Sequence, residues 1–191
     1  MPIQVDVAQR RADIAEATFA VAAEAGLGAV TLRSVASKLG ASTTIITNYL
    51  PTRADLLANA LDQVADEWIA ELDVVSADLE PEVALREVMR AAVSWDEREL
   101  IRNQFWVAVL AEPNRPDAVV EQLREESDVV RGRLAKLVEQ CGHPDPALAA
   151  DQLFLFAQGV FVSIVETPQR WSPTRLRTAS DAVVDGVLGS Y

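Results

Sequence analysis

The chain has little of what most catalytic and metal chemistry needs. Its 191 residues include one cysteine, Cys141, and one histidine, His143. A single cysteine excludes an internal disulfide and fits a reducing compartment. A single histidine, set in the Gly142-His143-Pro144 break, leaves a metal site or a histidine-based triad without a second ligand or base. Cys141 and His143, two residues apart at a helix end, read as an incidental pair, and Glu125-Glu126 reads as solvated helix surface. There is no glycine-rich loop of the kind that cradles phosphate. No enzymatic activity, no metal and no cofactor is therefore expected. Apolar runs are also short: none approaches the roughly 20 residues of a membrane span. MPIQVDVAQRRADIAEA carries no apolar segment after its charges, so no secretory signal is expected, and the expected location is cytoplasmic.

Positive charge is scarce too, with 17 lysines and arginines against 29 acidic residues, a net charge of −12. That balance argues against non-specific nucleic-acid binding, but its distribution qualifies the argument. In residues 1–55, Arg10, Arg11, Arg33, Lys38 and Arg53 match Asp6, Asp13, Glu16, Glu24 and Asp55. The whole deficit lies in the remainder. A neutral N-terminal part joined to an acidic body suggests two functional parts, and a locally basic contact face stays open to the first.

What is abundant is helical periodicity. Ile14, Ala17, Val21, Ala22 and Ala25 recur at helical spacing over residues 10–25, and Gly26 with Gly28 ends the run. VTLRSVASKLG offers Thr31 as N-cap, Leu32, Val35, Ala36 and Leu39 on one face, and Gly40 at the exit. After Pro51, Thr52 and Asp55 stand at capping-box spacing, ahead of a long stripe from Leu56 to Leu72. Further helices are predicted over 82–95, 97–111, 117–141, 146–166 and 174–189, separated by proline- and glycine-bearing breaks. No alternating segment has a partner to pair with. The expected fold class is all-α.

GASTTIITNYL then poses a problem, because hydroxyl and β-branched residues are poor helix formers. A lone strand would have no partner, so the stretch is read as a short second helix after a tight turn at Gly40-Ala41-Ser42, that is, a helix-turn-helix. Ile46 and Leu50 would point inward. Thr43, Thr44, Thr47 and Asn48 would point outward, short enough to enter a major groove and able both to donate and to accept. A polar face on any helical bundle would look much the same, so the shape alone does not decide.

The pattern IAEATFAVAAEAG…TLRSVASKLGASTTIITNYLPTRADLL resembles the DNA-binding domain of the tetracycline-repressor (TetR) family of transcriptional regulators. The shared positions are Thr31, Val35, Ala36, Gly40, Ser42, Tyr49, Leu50, Pro51, Thr52, Arg53 and Leu56. The resemblance implies a helix-turn-helix domain over 1–51 and a helical effector-binding and dimerisation domain over 52–191. It implies phosphate contacts from Thr31 and Arg33, a backbone clamp from Tyr49 and Arg53, and base readout by Thr43, Thr44, Thr47 and Asn48, with Ser42 at the helix start. It also implies a homodimer on a palindromic double-stranded DNA operator, its recognition helices about 34 Å apart, and release by a small-molecule effector. The chain departs from the family pattern at Thr47, where an aromatic is usual, at Thr44, where a small residue is common, and at Ala22, where a core phenylalanine is usual and Phe19 is placed to compensate.

In the acidic part the large aromatics are either core or the walls of a ligand cavity. The resemblance implies such a cavity, for which Trp68, Asn103, Gln104, Phe105, Trp106, Phe154 and Gln158 are the expected lining. ALAADQLFLFAQGVFVSIVE is apolar nearly all round, which suits a dimer interface; Leu155, Gly159, Val162, Val183 and Val187 are its expected members. A helical small-molecule binding protein without operator binding is the alternative.

Overall fold

The computed structural model describes residues 7–189, and all its regular elements are helical. They run α1 Val7–Ala25, α2 Leu32–Lys38, α3 Thr43–Thr47, α4 Arg53–Ser76, α5 Pro81–Ala92, α6 Glu97–Ala111, α7 Asp117–Gln140, α8 Pro146–Glu166 and α9 Pro173–Leu188, with 3-10 turns at Leu27–Ala29 and Pro168–Arg170. The predicted helices fall within a few residues of these spans, because prolines and glycines mark their ends. The first residues, MPIQVD, and the last two lie outside the described residues.

The chain divides into two compact units, 1–66 with 104–124, and 67–103 with 125–191. This division differs from a cut after residue 51. In the first unit, Leu56, Leu57, Ala60 and Leu61 on α4 are buried, as are Ile14 and Phe19 on α1, Val35 and Ala36 on α2, and Ile46 on α3. Asn59, also buried, donates to the Arg11 carbonyl at 2.9 Å and accepts from Arg11 Nε at 2.7 Å. The start of α4 thus belongs to the head. Phe19 is buried and meets Phe105 edge-to-face, ring centroids 5.0 Å apart.

The second unit is a helical bundle whose core joins Leu72 of α4, Leu85, Val88 and Met89 of α5, Leu134 and Val138 of α7, Leu153 of α8 and Val184 of α9. Val93, Val160, Ile164 and Leu176 form a second cluster. Between α5 and α9, Arg90 holds Asp181 through two hydrogen bonds of 2.8 and 2.9 Å, and Arg86 pairs with Asp185 at 2.6 Å. The Arg90 guanidinium lowers the Asp181 pKa, outweighing a smaller upward push from desolvation.

Helix α8 amends one expectation. Over Pro146–Glu166 its mean hydropathy reaches 1.7, so by length and composition alone it could cross a membrane; a third of the apolar window is buried. No single uninterrupted run announces this, because Asp151, Gln152 and Gln158 break it up. Ala149, Ala150, Leu153, Ala157, Val160 and Ile164 face the core. The opposite face carries Leu148, Gln152, Leu155, Gly159, Val162 and Glu166, all exposed and spaced alternately four and three apart.

Candidate nucleic-acid interface and effector region

The short helix α3 is fixed at its N-terminal end by a tight turn and a cap. Gly40 adopts φ +64°, in the left-handed region where glycine avoids the Cβ penalty. The amide of Ala41 donates to the Ala36 carbonyl at 2.9 Å and that of Gly40 to Ser37 at 3.1 Å, the hydrogen-bond pattern of a Schellman turn. Ser42 then caps α3, its hydroxyl accepting from the Ile45 amide at 3.4 Å. Ile46 and Leu50 are buried, as their spacing predicts.

Thr31 caps α2 with reciprocal bonds: its Oγ1 accepts from the Ser34 amide at 3.1 Å, and its own amide donates to Ser34 Oγ at 2.9 Å. Thr52 and Asp55 do the same ahead of α4, with the Thr52 amide donating to Asp55 Oδ2 at 2.8 Å and the Asp55 amide to Thr52 Oγ1 at 3.1 Å. These caps occupy the orphan amides that a short helix would otherwise leave to water.

The outward face matches expectation in part. Thr43, Thr44 and Asn48 are exposed, and their side chains make no hydrogen bond among the described residues. Arg33 is exposed with no ion-pair partner among them, whereas Lys38 is paired with Glu24. Tyr49 is partly buried beside this face. Thr47 is partly buried, and its hydroxyl donates to the Thr44 carbonyl at 3.1 Å, so its proton is already engaged within the helix. Sequence reasoning missed one residue: Ile45 leaves 40% of its surface exposed at the border of this polar face. A period-3.6 pattern places it on a flank, where sequence cannot separate exposed from buried.

Arg53 has a different occupation from the phosphate grip expected of it. Its Nε donates to the Val30 carbonyl at 3.1 Å and Nη2 to the Leu27 carbonyl at 3.1 Å, while Nη1 meets Glu112 Oε1 at 3.0 Å. The guanidinium therefore ties the 3-10 turn after α1, the start of α4 and the end of α6 into one unit. To hold phosphate it would have to release one of these partners.

The residues expected around a ligand cavity are placed separately. Phe105 is buried against Phe19 in the first unit, where Trp106 is partly buried and Gln104 exposed. In the second unit Trp68 and Phe154 pack against the main core, Asn103 is partly buried, and Gln158 has a buried Oε1 that accepts no hydrogen bond. A cleft of about 480 Å³ opens in the second unit among α4, α5 and α7. Leu72, Val88, Leu134 and Leu137 form its apolar wall, with Arg133 and Lys136 among its polar residues; none of the expected residues lines it. Of the expected interface residues, Leu155 and Val162 are 67% and 47% exposed and Gly159 is exposed. Val183 is partly buried against the main core. Val187 is 7% exposed and belongs to that core, one turn from Val184, so it faces inward.

Among the described residues no group of three or more histidine, cysteine or acidic side chains could hold a metal. Burial, and then the charge of Glu82, raise the Cys141 thiol pKa against a smaller lowering from Arg86.

Comparison with known proteins agrees with this architecture. The C-terminal domain of the BetI-type transcriptional repressors matches residues 81–189. The HTH-type transcriptional regulator PksA of Bacillus subtilis (strain 168) is 24% identical over 93% of this chain and 89% of its own length. A transcriptional regulator from Rhodococcus sp. RHA1 superposes with a TM-score of 0.85, at 24% identity over 94% of this chain and 96% of that one. The SmeT–triclosan complex does so at 0.77, with 19% identity over 96% and 91%. With a helix-turn-helix head, a helical second unit and a family match over more than half its length, the chain belongs to the TetR family of transcriptional regulators, its C-terminal part of the BetI type.

Proposed function

We propose that the protein is a homodimeric, cytoplasmic repressor that holds a palindromic DNA operator through two copies of α3 and is released by a small-molecule effector. The observation that carries this reading is the uncommitted polarity of the outward face. Thr43, Thr44, Asn48 and Arg33 are exposed, and among the described residues their side chains make no hydrogen bond or ion pair. Short polar side chains on a capped helix can address base edges, and Arg33 supplies a phosphate contact that the acidic remainder cannot. Thr31, Ser42, Thr47 and Tyr49 complete the contact set beside them.

The exposed α8 face supports dimerisation. Leu148, Leu155 and Val162 lie along one seam, and an added Cβ at Gly159 would meet nothing within 4 Å, which leaves room for a partner helix to approach closely. An effector site in the second unit is part of the same reading. The 480 Å³ cleft is of ligand size, and Ser76, Lys136 and Gln140 supply polar groups beside its apolar wall. SmeT, of similar fold, was solved with triclosan, which fits a small, largely apolar effector. No catalytic role is assigned to any residue.

The test is binding of the full-length protein to duplexes enriched from a randomised library, followed across a salt series. Wild type should show a steep salt dependence. Arg33→Ala should reduce the slope of log K against log [salt] by about 0.9 per copy, roughly 1.8 for the dimer. Thr44→Ala with Asn48→Ala should erase sequence preference more than affinity. No enriched duplex at low salt would favour a small-molecule binding protein without operator binding.

A further inference from the structure

We infer that Ile45 is a specificity-determining residue that reads a thymine by its C5-methyl group in each half-site. This rests on the proposed placement of α3 in the major groove. Ile45 is 40% exposed, while Ile46 beside it is fully buried, so the helix needs only one of the two for its packing. The exposed one sits next to Thr44 and one turn before Asn48 and Tyr49, on the border of the polar face. A β-branched side chain on a helix has one strongly preferred χ1 rotamer. Ile45 therefore presents its methyls in a nearly fixed direction.

The major groove displays one apolar group, the methyl of thymine; the other base edges offer donors and acceptors. An isoleucine against cytosine N4 or adenine N6 would strip water from an amine and return no acceptor. Against thymine it removes two apolar surfaces from water at once. The residue therefore discriminates in both directions, favouring thymine and penalising the bases that need a hydrogen bond. Thr47, on the opposite flank, has its proton engaged with the Thr44 carbonyl, so hydrogen-bond donation outward falls to Thr43, Thr44 and Asn48.

The experiment uses the full-length protein and the duplex it enriches from a randomised library. Each dT is replaced in turn by dU, which deletes only the methyl, symmetrically in both half-sites, and affinity is read by fluorescence anisotropy. At one position per half-site, dU should weaken wild-type binding about fourfold per methyl. Ile45→Ala should bind the dT and dU duplexes equally, and Ile45→Val should keep most of the difference. A wild type indifferent to dU at every position overturns the inference, as does an Ile45→Ala variant with undiminished dU sensitivity. Failure to enrich any duplex overturns this inference and the repressor reading together. Ile45→Ala truncates a side chain that is 40% exposed, so its thermal unfolding should fall only slightly below wild type.

Discussion

Replacing Arg53 with alanine separates two roles that a single arginine could have. In the structure its guanidinium donates to two backbone carbonyls and faces Glu112. Charge-assisted hydrogen bonds are worth about 1.5–3 kcal/mol each when well buried. The Arg53 side chain is 34% exposed and that of Glu112 25%, so water competes for each partner and the lower end applies. The substitution also leaves Glu112 without its cation, although its Oε2 is already buried with no hydrogen-bond partner. The two carbonyl bonds give about 3 kcal/mol at that lower end and the part-exposed Glu112 pair about 0.5 kcal/mol more, an expected loss of about 3–4 kcal/mol and a fall in Tm of roughly 6–16 °C for a chain of this length. Adding Glu112→Gln should recover part of it, because the stranded carboxylate is then neutral. The salt slope of DNA binding should stay at its wild-type value, since no phosphate contact is lost. A slope reduced by about 1.8, with unfolding unchanged, would show that Arg53 leaves its carbonyls to grip phosphate and would refute the clamp.

Other substitutions probe the remaining elements. Leu155→Glu places a charge on the exposed α8 seam and should yield a folded monomer by sedimentation velocity, with DNA affinity sharply reduced; a stable dimer would move the interface elsewhere. Gly40→Ala should cost about 1–2 kcal/mol in urea unfolding, and Gly40→Asn less, because the penalty is the left-handed backbone; a Cβ there meets nothing within 4 Å. The Asp181 pKa is lowered in the folded state, so its pairing stabilises the protein above the unfolded aspartate pKa and is lost as acid protonates it. Wild-type Tm should therefore fall as pH drops below about 4, and Asp181→Asn should start lower and lose less over that range.

The parts legible in the sequence were those written in local chemistry. Thr52 and Asp55, three apart after a proline, announce their reciprocal cap without any knowledge of the fold. Gly40 announces its turn, and Ile46 with Leu50 announce which side of α3 is inward. What was not legible depends on residues far apart in the chain. Arg53 looks like a free cation at a helix start until the carbonyls of Leu27 and Val30 are brought beneath it. Phe105 and Trp106 are equivalent in sequence, yet Phe105 is buried against Phe19 and Trp106 is only partly buried. In α9, valines at 183, 184 and 187 fit more than one helical stripe, and packing against α5 selects 184 and 187 as core. Helix α8 is apolar on every side, so composition cannot say which third faces the core.

The hydrogen bonds that fix α3 have an evolutionary corollary. Its geometry depends on Gly40, the Ser42 cap, Ile46 and Leu50, while Thr43, Thr44, Ile45 and Asn48 contribute little to holding it. Scaffold and reading surface are nearly disjoint sets within eleven consecutive residues. Substitutions in the second set can therefore accumulate with small effects on folding, and a duplicated gene could drift to a new operator without first acquiring compensating stability elsewhere.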